Sequence, residues 1–498
     1  MQKTASFVHN AIKYLYTILI LLIVVFCFTC KEESYYTQKA GRLSNILCVV
    51  LGIGVILLLL ILVHILAEKI QVKNDKRVML LLNVLMGGML LFASYHYYFR
   101  TGWDAGVVIQ EAVKIADGRF SELWNFYFDR CYNNIFITVL FSWVIRAGRL
   151  LPFGNDYLYL VMFQCVIWSY TGYLLYCVAS QLLEQKRTAF LVWMVYVVLV
   201  GMSPWVVVPY TDTVAMPVVI TLLYLWLKGR TSFFFGFLAV VGYFIKPQVI
   251  ILVIALALME IFDTDKVEKW KKKLGKQVGW LAAGLVVGLV LIRVGQASSH
   301  IVITGEDSFG ISHYLMLGLN EETDGIFSDA DFLFSQSFST KTERNQANLQ
   351  EIDNRLKSMG FMGLLKHLKN KLLVAYEDGS FAWGSEGEFF AELYYTGLPV
   401  LREKFWGFYI PEGKNYKLFL NLEQCCWMAV LFLAAFAFTG KNKDKRFLVL
   451  ALSVIGVTLF EMLFEVRARH LFIFIPMFLL LMGRSVEQMR KVLRFLPG

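Results

Sequence analysis

Asp104 stands directly after an apolar run, in FRTGWDAGVVIQEA. A carboxylate between Trp103 and Ala105 is placed to take a proton from an acceptor hydroxyl. A nearby aromatic wall raises a carboxyl pKa toward that task. Aspartate is also a favoured helix cap, and a helix over 105–116 would use it so. Asp212, in SPWVVVPYTDT, carries the same two readings. Either it shares a hydroxyl, a cation or a basic group with Asp104, or it caps a span at 213–228. Lys246 interrupts GYFIKPQVII, and Pro247 turns or breaks the chain after it. An ammonium there pairs with a lipid phosphate as a point charge, or simply snorkels. FEVRARHLF sets Glu465, Arg467, Arg469 and His470 between two apolar spans. Guanidinium forks match phosphate oxygens; the alternative is an Arg–Glu pair that fixes the turn.

The long polar stretch 298–418 carries helical signals. Leu349, Ile352 and Leu356 have helical spacing within Glu343–Met359. The run Phe361–Tyr376, with Lys366, Lys369 and Lys371, is basic and amphipathic, and is expected to lie along the membrane. EDGSFAWGSEGEFF follows, a loop shaped to line a polar pocket or an ordinary surface turn. Trp103, Glu111, Asn133, Asn134, Trp383, Glu386 and His470 are the further candidates for substrate binding. No EF-hand or zinc spacing is present, so the cofactor is undetermined and no metal ligand is assigned. A divalent cation stays open, without a ligand motif. Walker A, Rossmann and G-x-S-x-G patterns are absent, which argues against a nucleotide-driven pump and a serine hydrolase. A donor is then lipid-borne rather than nucleotide-borne.

These residues need elements to hold them. Of 498 residues, 57% are hydrophobic and only 17% charged. The mean hydropathy of +0.57 points the same way. Lipid must cover much of such a surface. Apolar runs long enough for a hydrocarbon core of about 30 Å recur along the chain. The net charge of +10 sits in short loops between them, a topology signal rather than a nucleic-acid footprint. Seven of the eight cysteines lie in or beside apolar runs, and the CxxC at 27–30 has no second pair. The first apolar run, Tyr14 to Cys30, lacks a small-x-small cleavage site and reads as a span rather than a signal peptide.

Basic loops face the cytoplasm. Lys69–Arg77, Lys186-Arg187, Lys228–Arg230, Lys266–Lys276, Lys441–Arg446 and Arg484–Arg494 are such loops. Spans satisfying this lie near 14–30, 43–66, 78–98, 158–183, 188–208, 213–228, 231–245, 247–262, 277–297, 420–440, 447–464 and 471–483. The total is about twelve, within a range of roughly 11 to 13, with both ends inside. Residues 135–150, interrupted by Arg146 and Arg149, are too short to cross and read as juxtamembrane or re-entrant. The outer face then collects 99–134, 203–213, Lys246-Pro247, 298–418 and 465–470.

In that order, several stretches resemble the GT-C superfamily of membrane glycosyltransferases. The likeness is to bacterial glycosyltransferase family 39 (dolichyl-phosphate-mannose-protein mannosyltransferase-like) proteins of Gram-positive bacteria. The stretches are WDAG at 103–106, CYNNIF at 131–136, PYTDT at 209–213, GYFIKP at 242–247, HYLMLGLN at 313–320, DGSFAWGSEG at 378–387 and EVRARHL at 465–471. Ala105 stands where many members carry a second acid, Cys131 where proline is expected, and His470 where tyrosine is common.

The resemblance implies an all-α polytopic membrane enzyme with an extracytoplasmic site and a polyprenyl-phosphate-linked sugar as donor. Asp104 matches the general base, with Asp212 or Glu111 as a second acid. Lys246, Arg467 and Arg469 match the donor-phosphate ligands. The implied partners are the lipid-linked sugar, membrane lipids and a glycan, lipid or protein acceptor, with no nucleic acid. The expected organisation is an N-terminal transmembrane hairpin over 1–75, outside the resemblance. A transmembrane module over 76–297 follows, with its first outer loop at 99–134. An extracytoplasmic loop domain over 298–418 and C-terminal spans with a basic tail over 419–498 complete it. The competing expectations are a transporter or flippase, or a polymerase, of lipid-linked glycans.

Overall fold

The computed structural model describes residues 2–29, 43–69, 75–152, 154–262, 264–439 and 444–493. Cys30, Lys441 and Arg494, named above, lie outside them. The protein is an all-helical polytopic membrane protein. Among the described residues, eight helices are long and apolar enough to cross a membrane. They are Ser6–Thr29, Asn45–Ile65, Lys76–Tyr97, Asp156–Leu182, Val278–Ser298, Tyr416–Ala434, Arg446–Leu463 and Ala468–Lys491. Thr211–Leu227, Phe233–Ile245 and Val249–Phe262 are shorter apolar helices. They fall short for local reasons. Gly229, at φ 64°, turns the chain after the first. The second and third are split by Pro247, which holds Lys246 extended at φ −149°.

The segment expected to span 188–208 differs. Its helix runs Lys186–Tyr196, widens into a π-turn at Val197–Gly201 and gives way to a 3-10 turn at Pro204–Val207. Proline cannot extend the hydrogen-bond ladder, so the chain turns at the end of the bundle. Ile135–Gly148 is a helix of 14 residues, roughly 21 Å long at 1.5 Å per residue and short of a crossing. It is braced by Arg146, which donates to the Ile115 carbonyl at 2.6 Å.

Basic loops gather at one end of the bundle. Arg446 donates to the Gln181 carbonyl at 2.8 Å, Lys491 pairs with Glu184 at 2.6 Å, and Arg187 meets His64 Nδ1 at 2.8 Å. At the opposite end lie the stretches that the sequence marks as chemical.

Residues 298–418 contain the helices Ile311–Gly318, Asp329–Gln336, Lys341–Tyr376 and Pro399–Tyr409. Thr340 and Glu343 form a capping box at the start of the third. That helix changes direction at Gly360, φ 58°. Phe361, Met362 and Leu365 in its second half are exposed, but the end of that half departs from the expected surface position. Lys371-Leu372-Leu373-Val374-Ala375-Tyr376 is buried, with Tyr376 Oη 2.7 Å from Thr458 Oγ1. Apolar side chains all round a helix favour insertion into the core over an interfacial position. A two-residue antiparallel pairing, Phe99–Arg100 with Glu392–Leu393, ties this segment to the entry of the first polar loop.

Candidate functional site

Two helices start at the site. Asp104 is the first residue of Asp104–Asp117, and Trp103 is its N-cap without a side-chain bond. Asp212 is the second residue of Thr211–Leu227, whose cap is Tyr210. Neither aspartate is therefore the cap. At the second helix the capping is done by Thr213, whose Oγ1 accepts from the Tyr210 N–H at 3.0 Å. Both carboxylates sit among the unpaired N–H groups of a helix start, which favours negative charge.

Asp212 is almost fully buried and bridges two cations. Its Oδ1 pairs with Lys246, and its Oδ2 lies 2.5 Å from Arg469 Nη1. Arg469 extends the network through Nε to Glu386 at 2.9 Å. Arg467 reaches Glu386 and Glu465, each at 3.4 Å. The guanidinium of Arg469 lies 4.6 Å from the Trp103 ring centre and 5.4 Å from that of Tyr210. Tyr210 Oη closes the path to Asp104, donating to Oδ2 at 3.5 Å, the long limit of a hydrogen bond. Lys246, Asp212, Arg469, Trp103, Tyr210 and Asp104 thus form one continuous set drawn from four distant stretches of chain.

The electrostatics follow from burial against pairing. Burial pushes the Asp104 carboxyl above its ordinary value, against the opposing pull of Arg469 and a hydrogen bond from Tyr127. For Glu386 burial acts in the same sense, but Arg467 and Arg469 outweigh it and hold the carboxyl low. Burial lowers the Lys246 ammonium although Asp212 opposes it. Asp104 and Glu386 are therefore set apart, the first shifted up by burial and the second held down by its guanidinium partners.

Glu386 reaches the network because its loop is contorted. Phe381 and Ala382 take left-handed φ of 56° and 62°, costly for residues with a Cβ. Asp378 holds that turn, accepting from the Ser380 N–H at 3.0 Å and the Ala382 N–H at 2.8 Å.

His470 Nδ1 lies 3.2 Å from Glu461, a carboxylate that also accepts from the Arg467 N–H at 3.1 Å. Asn134 donates to Tyr127 Oη at 2.6 Å and so supports the Tyr127–Tyr210 wall. Glu111, Asn133 and Trp383 stand apart from the ion-pair network. Glu111 pairs with Lys114 at 2.6 Å and accepts from the Trp124 N–H at 2.9 Å. Asn133 bonds its neighbour Asn134. Trp383 packs on Phe389, which in turn stacks on Trp103. Tyr210, Tyr127 and Glu461 take part in the site and were not singled out as candidates. Tyr210 was legible in part, as the aromatic just before the Thr-Asp of PYTDT.

A family profile described as conserved hypothetical integral membrane protein matches residues 4–490. The chain belongs to that family. No curated protein and no solved structure matches it. The family description agrees with the multi-pass helical architecture and assigns no chemistry to the site. Among the described residues, no group of three or more His, Cys, Asp or Glu side chains is arranged to hold a metal ion.

A buried lysine braces the turn that carries the arginines. Lys371 Nζ donates to the Gly318 carbonyl at 2.6 Å and the Phe464 carbonyl at 2.7 Å. Burial brings its ammonium down to about 7, against the pull of Glu461 and Glu465. The unfolded chain keeps a proton on this lysine up to about pH 10.4. Across the window from about 7 to 10.4 the unfolded state therefore holds more protons, and stability rises with pH. Lys371→Met is expected to flatten that rise in the thermal midpoint of detergent-purified protein. An unchanged slope would show that Lys371 titrates normally in the fold.

Proposed function

We propose that this protein is an extracytoplasmic glycosyltransferase. It moves a sugar from a polyprenyl-phosphate-linked donor to a cell-envelope glycan, lipid or protein acceptor. The observation that carries the reading is the meeting of Asp104, Asp212, Lys246 and Arg469 around one aromatic wall at one end of the bundle. The reading of about twelve crossings in a GT-C-like arrangement takes the three short helices and the interrupted Lys186–Gly201 segment as crossings beside the eight long helices. The basic loops gather at the other end, which by the positive-inside rule supports an outward-facing site.

Asp104 removes the proton of the acceptor hydroxyl as that oxygen attacks the anomeric carbon. The bond from that carbon to the phosphate oxygen breaks, and the electron pair leaves with polyprenyl phosphate. Positive charge builds on the sugar in an oxocarbenium-like transition state. Lys246, Arg467 and Arg469 stabilise the negative charge growing on the phosphate. Each of these cations has a carboxylate partner. The donor phosphate therefore takes the place of Glu386, the loop carboxylate that Arg467 and Arg469 share.

The test is mass spectrometry of lipid-linked sugars and envelope glycans from cells with and without the protein. A polyprenyl-phosphate sugar that accumulates while one glycan decoration disappears supports transfer. A transporter reading draws on the broken helix at Lys246-Pro247, since broken helices line transport sites. It predicts that the lipid-linked sugar still accumulates, but on the cytoplasmic face alone.

A further inference from the structure

The chain between the site loop and the Tyr416–Ala434 helix carries an exposed apolar surface. Tyr395, Leu398 and Val400 are 75%, 61% and 65% exposed, a poor use of apolar area in water. Their position is fixed by the end of a spanning helix. Thr396 Oγ1 donates to the Tyr95 carbonyl at 2.5 Å, in the last turn of Asp75–Tyr97. Gly397 takes φ 67°, and any Cβ there would run into the His96 ring. Phe405 packs on Tyr97, with ring centres 5.4 Å apart. The short helix Pro399–Tyr409 is thereby pinned to the end of that span.

Below Tyr95 the same helix exposes Phe92, Met89 and Leu85. Spacings of three and four residues put all four on one face, which the bilayer must cover. Tyr395, Leu398 and Val400 continue that strip beyond the end of the span. Basic side chains border it. The Arg402 guanidinium lies 5.3 Å from the Tyr395 ring centre, and Lys404 is exposed. An apolar face flanked by aromatic and basic groups, level with the end of a spanning helix, is the chemistry of a lipid headgroup boundary.

We infer that residues 395–404 form a membrane-surface anchor, with Tyr395, Leu398 and Val400 immersed in the leaflet at the site end and Arg402 and Lys404 meeting lipid phosphates. The anchor bears on the site through the backbone. Glu392–Leu393 pairs with Phe99–Arg100, and the Gly102 N–H donates to the Glu388 carbonyl at 2.9 Å. The strand that delivers Trp103 and the loop that delivers Glu386 are thus joined just ahead of the anchored segment.

The test places an environment-sensitive fluorescent amino acid at position 398, and separately at 400, in full-length protein in phosphatidylcholine nanodiscs with a minority of phosphatidylglycerol. The same residue at Leu349, exposed on the Lys341–Tyr376 helix, is the reference. Lipids carrying a doxyl group near the headgroup should quench positions 398 and 400 at least twofold more than position 349, and aqueous iodide should quench them less. Strong iodide quenching without doxyl quenching at 398 and 400 overturns the inference. Protection from both quenchers overturns it as well, because a protein surface would then cover the patch. Sugar transfer is not read in this experiment, so its outcome is independent of the proposed reaction.

Discussion

Asp104→Asn is expected to reduce sugar transfer by roughly 10²- to 10⁴-fold, the range that a positioned general base supplies. Asparagine matches aspartate in shape but cannot accept the acceptor proton. The fold should tolerate the change. Among the described residues Asp104 has no ion pair, and its bond from Tyr210 is long at 3.5 Å. The helix that it opens keeps its backbone start at Trp103. Membrane insertion and thermal midpoint should therefore stay near wild type, which separates a chemical loss from a folding loss. The pH profile gives a second readout. A base works only when ionised, so activity should fall as pH drops through the Asp104 pKa. Burial sets that pKa above the ordinary carboxylate value of about 4. Asp104→Glu should keep part of the activity with the acid limb displaced. Transfer by Asp104→Asn at near wild-type rate would remove Asp104 from the reaction.

The two aspartates show what local sequence leaves open. Each stood beside an apolar helix, so base and cap were both open readings of the local sequence. The structure puts both one or two residues inside the helix, where neither side chain caps it. Which cation meets which carboxylate was beyond sequence, because those partners are set by tertiary packing. Asp212 and Arg469 are 257 residues apart in the chain. The long spans were legible because an apolar run of that length has few other stable forms. The short helices around Pro247 were legible as apolar segments, whereas the end of the helix at Gly201 was not. A π-turn leaves no mark in hydrophobic periodicity. The end of Phe361–Tyr376 departed from the expected surface position for a related reason. Its lysines gave it an amphipathic outline, but the last five residues are apolar on every side and packing decided their place. The surface anchor inferred at 395–404 is announced by no regular period.

Arg469→Ala is expected to be the most destabilising single change at the site, by about 3–5 kcal/mol, the cost of leaving a buried ion pair with one partner. The reasoning rests on how much this one side chain holds. Its guanidinium joins Asp212 at 2.5 Å to Glu386 at 2.9 Å, and lies over Trp103 and Tyr210. After truncation Asp212 keeps Lys246, but Glu386 keeps only Arg467 at 3.4 Å. A thermal midpoint several degrees below wild type in detergent should follow, and a midpoint equal to wild type would show that the network is not under tension from burial. Loss of transfer in this variant alone would not tell binding from folding. Arg469→Lys makes that distinction. A lysine restores the positive charge but, as a point charge, cannot fork to two carboxylates or lie flat on the indole. Stability should recover in part, while KM for the donor should stay raised more than kcat falls, because the phosphate and Glu386 compete for the same fork. Full recovery of both by lysine would mean that charge alone suffices at this position, and that the bidentate geometry contributes nothing to donor binding.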